Sequence, residues 1–345
     1  MRLIIGILFL VSLLLFFSVN VSPENWGYSG LFSLLIPVFI LFNLFLVVLL
    51  LFGRGRLMIF PILALIIGWK FLSVTFQWNQ PDTRTEGFSI LSYNAMLFNN
   101  NWGHTNEELI LNSVQWARDN PADIKCFQEF YQDYTTPSKN ALKILGKEGA
   151  YEHAFLPVDG NAKKKSFGIA IFSKFPIVNS GKVFDNRRNN GAMFADIKIQ
   201  KDTIRVYNTH LESMNIRAAD LDNLQGIKSQ YRSTIKKLKE GIHTRASQAR
   251  ILLEHIENSP HPVILAGDFN DVPYSYTYFS FKELLSNAFE EMGRGFGFTY
   301  NKVLFFLRID NIFFSSPLQV LQFRTHREVD YSDHYPISAT FAYPD

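Results

Sequence analysis

The chain has 345 residues, 47% of them hydrophobic, and a formal charge of +3. That length holds one large domain with an addition, or two ordinary domains, and the single cysteine, Cys126, excludes an intramolecular disulfide and suits a core position among apolar neighbours. Arg2, Arg54, Arg56 and Lys70 against Glu24 account for the whole charge, so everything beyond residue 76 is balanced; this argues against holding duplex nucleic acid through a strong general field.

The apolar residues gather at the amino end, in runs near 3–19, 31–52 and 57–76. About 20 such residues at 1.5 Å per helical residue cross a hydrocarbon core about 30 Å thick. Residues 1–76 are therefore expected to form a membrane region of about three transmembrane helices, the third interrupted by Pro61, Gly68 and Lys70. A cleaved signal peptide is the alternative for the first run, but no small-x-small site follows in "FFSVNVSPEN". Arg2 and the link "GRGR" carry the cations, whereas "NVSPENWGYSG" carries none. The positive-inside rule then predicts a multi-pass protein with its amino terminus in the cytoplasm and its remainder on the other side, the periplasm in a bacterium. Membrane lipids are the partners these helices imply.

Residues 77–87, "QWNQPDTRTEG", are polar and read as a linker to a domain over 88–345. Short β-rich runs follow: "FSILSYNAM", "ADIKCFQEF", "FGIAIFSKFPI", "AMFADIKIQ", "TIRVYNTHL", "PVILAGDF", "IDNIFFSS" and "PISATFAY". Helical patterns are interleaved at 105–120, 138–149 and 245–258. Such alternation predicts an α/β sandwich, two mixed sheets covered by helices. Between 221 and 242, Leu221, Leu224, Ile227, Tyr231, Ile235, Leu238 and Ile242 recur every three or four residues, with Lys228, Arg232, Lys236, Lys237 and Lys239 on the other side. This is a basic amphipathic helix, either solvated and packed on the domain or laid on an anionic membrane.

Several strand-like runs end in groups that carry chemistry. "PVILA" leads into "GDFND" with Asp268, Asn270 and Asp271; "SYNAM" ends at Asn94, "FQEF" at Glu129 and "NTHLES" at His210; "RIDNIFFS" contains Asp310, and "YSDHYPIS" supplies Asp333 and His334. Singly, each has a structural reading as a cap, a turn or a satisfied polar group. A buried carboxylate must nevertheless be compensated, and the set together has the makings of a phosphoester site. Oxygen donors such as Glu129, Asn94 and Asp333 suit Mg²⁺, histidines suit anionic phosphate, and the cysteine count and ligand spacing speak against structural zinc.

These motifs, in this order, resemble the endonuclease/exonuclease/phosphatase superfamily, which includes deoxyribonucleases, abasic-site endonucleases, sphingomyelinases and inositol-polyphosphate 5-phosphatases. The resemblance covers about 88–345 and implies a four-layered α/β sandwich. By position, it implies Glu129, Asn94 and Asp333 as ligands of a divalent ion, Mg²⁺ with Mn²⁺ as a substitute. It also implies Asp268 and Asn270 at the attacking water, and His334, paired with Asp310, on the phosphate with His210 as the second histidine. Asp271 is not carried over.

The expected activity is metal-dependent hydrolysis of a phosphate ester, with lipid head groups, soluble esters and nucleic acid all open as substrates and the balanced charge disfavouring the last. The alternative is a membrane-bound interaction module that kept the fold and lost catalysis; it predicts substituted site residues, and none of the set is missing. "KKK" at 163–165, "RR" at 187–188, Ser173 with Lys174, and Thr299 or Tyr300 in "GFTYN" are weaker candidates for holding substrate.

Overall fold

The computed structural model describes residues 2–53, 55–80, 82, 84, 86–99, 106–185, 190–213, 224–302 and 306–343, with only the backbone of 224–230. Arg54, the 187–188 arginine pair, and the side chains of Leu221, Leu224, Ile227 and Lys228 lie outside what is described. The chain divides into two compact units, one of Met1–Phe76, Ser213–Ser247 and Asp271–Glu283, the other of Gln77–Glu212, Gln248–Asn270 and Leu284–Asp345.

In the first unit, Arg2–Asn20 and Ser29–Leu51 are long and apolar enough to cross a membrane. The third expected span is a bent pair, Gly55–Ile67 and Trp69–Thr75, meeting at 53°. The bend falls at Gly68, where a Cβ would stand 2.9 Å from the Phe16 ring, so the missing side chain lets the backbone approach its neighbour closely. Leu15, Phe16, Val19, Ile36, Ile40, Ala64 and Phe71 pack together, and Asn43 Nδ2 donates to Ser12 Oγ at 2.9 Å between two helices. Leu3, Leu14 and Leu41 are among the large apolar side chains these helices leave exposed.

The second unit holds strands β1 (Gln77–Trp78), β2 (Phe88–Asn94), β3 (Ile124–Asp133), β4 (Glu152–Gly160), β5 (Lys165–Ser173), β6 (Ile177–Asp185), β7 (Gly191–Ile199), β8 (Asp202–His210), β9 (Val263–Asp268), β10 (Ser286–Asn287), β11 (Arg294–Gly295), β12 (Asp310–Phe314), β13 (Val320–Thr325) and β14 (Ile337–Phe341). Two six-stranded sheets form, in the orders β13-β14-β2-β3-β5-β4 and β10-β12-β9-β8-β7-β6. Each is mixed, with one parallel pair, β2 with β3 and β8 with β9. Ile90, Cys126, Ile171, Ile197, Val206, Ile264, Ile312 and Ala339 are among the buried residues of the core they share. The other face of the first sheet is covered through Val114, Ala117 and Leu145, from the helices Glu107–Asp119 and Ala141–Leu145.

The linker stretch is stitched down. β1 pairs with β11, Asn79 N–H donates to the Gly293 carbonyl at 3.4 Å, and Asp82 N–H donates to that of Leu321 in β13 at 3.3 Å.

Lys125 is fully buried on the helix-covered face of β3. Its Nζ donates to the Ala117 and Arg118 carbonyls at 2.9 and 3.1 Å and stands 4.6 Å over the Tyr151 ring. A helix C-terminus and an aromatic face both favour a cation, yet burial pushes the amine down to about 7 from its ordinary 10.5. Between those values the unfolded chain binds the proton and the folded one does not, so this residue's contribution to stability rises with pH across that window and is lost as pH falls through about 7. Lys125→Met is expected to cost about 1–3 kcal/mol in urea unfolding at alkaline pH, by stranding two helix carbonyls, and to flatten the rise in stability from neutral to alkaline pH.

Candidate active site

The register of the second sheet sets the geometry. His210 pairs with Asp268 across β8 and β9, and Asp268 pairs with Asp310 across β9 and β12. Register partners project to the same side of a sheet, so three ionisable groups stand in one row at the strand ends. Gly267 makes the row possible: its φ is +152°, and a Cβ would run into the Thr209 carbonyl. Beyond the strand, Asn270 adopts φ +49°, its N–H donates to Asp268 Oδ1 at 2.8 Å, and its amide donates to the Leu211 carbonyl at 3.0 Å. Asn tolerates this left-handed turn better than most residues.

The first sheet supplies the rest. Asn94, at the end of β2, donates from Nδ2 to Asp268 Oδ2 at 3.0 Å and so ties the two sheets together at the site. Glu129 sits where the β3–β5 register slips between Phe127 and Phe130, with φ +47°. It is a bulge residue, and a bulge re-aims its side chain out of the ladder. Behind it, Gln128 Nε2 donates to Asn208 Oδ1 at 2.6 Å, and Asn208 donates to the Phe127 and Ala170 carbonyls, an amide network that braces one sheet on the other.

His334 Nδ1 lies 2.9 Å from Asp310 Oδ2 and its Nε2 lies 3.6 Å from Asp268 Oδ2, while His210 Nε2 is 3.4 Å from the same Asp268 oxygen and 3.9 Å from Glu129 Oε1. Ser332, which sequence reasoning missed, donates its hydroxyl to the Asn94 carbonyl at 2.8 Å and accepts the His334 N–H, fixing the last loop to the end of β2. A serine beside "DHYP" gives no signal by itself. Tyr300 forms a backbone bridge with His334 and sets its ring edge-on to the imidazole at 5.5 Å. Thr299 is structural instead, its hydroxyl accepting from the backbone of Ile309 and Asp310.

The charges are strongly coupled. Burial pushes the Asp268 carboxyl up, but His334, His210 and the Asn270 N–H outweigh it and hold it at about 2. Burial also opposes the His334 cation, and Asp310 and Asp268 outweigh it, raising this imidazole well above its ordinary value. Glu129 is raised by its burial, then by Asp333 and Asp268, against the pull of the two histidines.

Two groups compete as a metal centre. Asp268, Asp310 and His334 place potential ligand atoms within 4.8 Å of one another, but His334 Nδ1 and the Asp310 oxygen are bonded to each other, which fits a histidine–carboxylate pair. Glu129 is the other candidate ligand: among the described residues its carboxylate accepts no hydrogen bond, and His210 at 3.9 Å opposes the like charges of Asp333 and Asp268. Missing positive charge beside hard oxygen donors is what a divalent ion supplies.

The weaker candidates are placed elsewhere or outside the described residues. Lys163 and Lys164 lie exposed in the β4–β5 turn, and Lys165 pairs with Asp133 at 3.5 Å. Lys174 binds Asp123 at 2.9 Å, and Ser173 Oγ accepts the Phe175 N–H. Asp271, in the first unit, faces Arg245 at 3.3 Å.

Residues 91–334 match the sequence model of the Endonuclease/Exonuclease/phosphatase family, and residues 1–75 match that of a domain of unknown function. No curated protein matches the chain. Several solved structures share the fold. An endonuclease/exonuclease/phosphatase from Beutenbergia cavernae is 16% identical with a TM-score of 0.52, over 75% of this chain and 72% of that one. The mannosyl-6-phosphatase of Bacteroides thetaiotaomicron is 20% identical with a TM-score of 0.50, over 74% and 100%. Humanized D. rerio TDP2 is 17% identical with a TM-score of 0.53, over 75% and 100%.

Gly267→Ala tests the register that builds the site. The added methyl must displace the Thr209 backbone next to His210, and a loss of about 1–3 kcal/mol is expected in thermal or urea unfolding; an unchanged unfolding curve would contradict it.

Proposed function

Because the chain belongs to the Endonuclease/Exonuclease/phosphatase family, whose members are metal-dependent phosphoester hydrolases, we propose a membrane-anchored, Mg²⁺-dependent phosphoesterase. In this reading Glu129, Asn94 and Asp333 hold the ion, and Asp268, Asn270, His210, His334 and Asp310 run the hydrolysis. The observation that carries it is the meeting of Asn94, His210 and His334 within 3.0 to 3.6 Å of one Asp268 oxygen.

Phosphate esters resist attack because their anionic oxygens repel the nucleophile. An ion bound there would supply positive charge to those oxygens. The His334 cation, held by Asp310, donates to a phosphoryl oxygen, with His210 as the second donor. Asp268 and Asn270 orient the attacking water in line with the leaving group, whose oxygen takes up the water's proton as its bond to phosphorus breaks. A carboxylate whose histidine partners hold it at about 2 is a weak base near neutral pH, so orienting the water fits it better than storing the water's proton.

The helices of the first unit anchor the chain, and the cations of the amino terminus and the 53–56 link orient it with the hydrolytic unit outside the cytoplasm. Lipid head groups and soluble phosphate esters suit the balanced charge of that unit better than nucleic acid, whose phosphate tracking draws on basic surface.

The test uses the full chain in lipid nanodiscs, with plasmid DNA, sphingomyelin, phosphatidylinositol species and a generic bis-phosphodiester as substrates. Hydrolysis of one class is expected to require Mg²⁺, to vanish with EDTA, and to fall about 10²–10⁴-fold in kcat/KM for Asp268→Ala and His334→Ala. Hydrolysis indifferent to chelator and to both substitutions would sink the assignment. Glu129→Gln is expected to weaken Mg²⁺ binding by calorimetry at least about tenfold while keeping the fold. Asp310→Asn, which removes the carboxylate that raises His334, is expected to move the alkaline limb of kcat/KM to lower pH; full activity with an unmoved profile would refute the pairing.

A further inference from the structure

The Leu224–Glu257 helix passes through a stretch, 231–242, with Arg232, Lys236, Lys237 and Lys239 against the single acid Glu240. Tyr231, Ile235, Leu238 and Ile242 recur at intervals of three and four and share one face. Within the first unit the inner end of that face is packed. A Cβ on Gly30 would collide with the Ile242 side chain, and Lys239 Nζ stands 3.8 Å over the Tyr28 ring. Tyr28 and Gly30 lie where the two membrane-length helices are joined, and there Trp26 and Tyr28 remain 44% and 48% exposed. Further out along the helix the same face is open, with Tyr231 48% and Ile235 40% exposed.

Exposed Trp and Tyr at the mouth of membrane-length helices mark the depth of the lipid head groups. A helix face that begins on that connection starts at that depth, and the stretch from 242 to 231 runs about 16 Å. Lys236 pairs with Glu240 only at 3.8 Å, with both side chains exposed, so a lipid phosphate can take its place. An acidic protein surface would meet the cations but would not explain two exposed apolar side chains on a helix face whose packed end touches that connection.

We propose that residues 231–242 lie on the surface of the membrane that holds the chain, with Tyr231 and Ile235 entering the acyl boundary and Arg232, Lys236 and Lys237 contacting anionic lipid head groups. This rests on residues 1–76 spanning that membrane.

Cys126 is buried, and burial pushes its thiol up, so a fluorophore can be directed to one introduced cysteine in the full chain in nanodiscs. Ile235→Cys probes the apolar face and Ser233→Cys the opposite side. Leu44→Cys, exposed on the Ile36–Leu51 helix, serves as the reference for membrane depth. With about one third phosphatidylglycerol and a lipid-borne quencher, quenching at 235 is expected to exceed that at 233 by about threefold or more, and to fall to the 233 level in pure phosphatidylcholine, in about 1 M salt, or in a Lys236→Gln, Lys237→Gln variant. Equal quenching at 235 and 233 with Leu44→Cys quenched overturns this inference and leaves the anchor standing. An unquenched Leu44→Cys probe overturns the anchor itself. A blue-shifted 235 probe that no lipid quencher reaches assigns the face to a protein partner and also overturns the proposal.

Discussion

The catalytic unit is organised around a buried negative charge. Asp268 stands at the end of a fully buried strand, where an uncompensated carboxylate would cost several kcal/mol or take up a proton. It does neither, because His334, His210, Asn94 and the Asn270 backbone all approach it. Each of those partners comes from a different segment of chain, and Asn94 comes from the other sheet. Satisfying one carboxylate thereby fixes the register of β8, β9 and β12, the meeting of two sheet ends and the path of the last loop through Ser332. The cluster of opposed charges that compensates Asp268 thus joins strand ends of both sheets at one point.

Glu129 is the counterexample within the same site. Its carboxylate has been carried out of the ladder on a left-handed residue, between the opposing charges of His210 and His334 and of Asp333 and Asp268, and its burial outweighs the histidines. Strain and repulsion of this kind persist where the surroundings overdetermine them, here through the Gln128–Asn208 network and the buried rings on either side.

Much of this was legible in the sequence because it depends on strand ends. "PVILAGDF" shows a buried strand and its terminal acid in one stretch, and the terminal residues of "SYN" and "NTH" mark their strands likewise. Of the missed strands, β1, β10 and β11 are two residues each, and β4, β6 and β13 are exposed or half-buried over most of their length, with mixed patterns that carry little period-two signal. The bulge at Glu129 depends on a register shift against a strand 40 residues away, and Tyr300 reaches His334 through one isolated bridge. Neither leaves a local trace. Lys125 was invisible for another reason: a lysine inside "ADIKCF" reads as a surface residue, and only the packing of the Glu107–Asp119 helix encloses it. The bend at Gly68 was foreshadowed by composition, but the close approach of Phe16 to it was not.

The stitched stretch at 77–84 has a further role. β13 is the outermost strand of its sheet, and an outermost strand offers unpaired backbone to any other extended chain. Here Asp82 occupies the Leu321 carbonyl and Arg84 reaches Gln319 at 3.0 Å, so the molecule screens that border with its own preceding residues. A soluble form trimmed at the start of β2 would free that carbonyl, whereas one that begins at Gln77 retains its partner. The apparent spacer is thus also a partial cover for the border of the sheet.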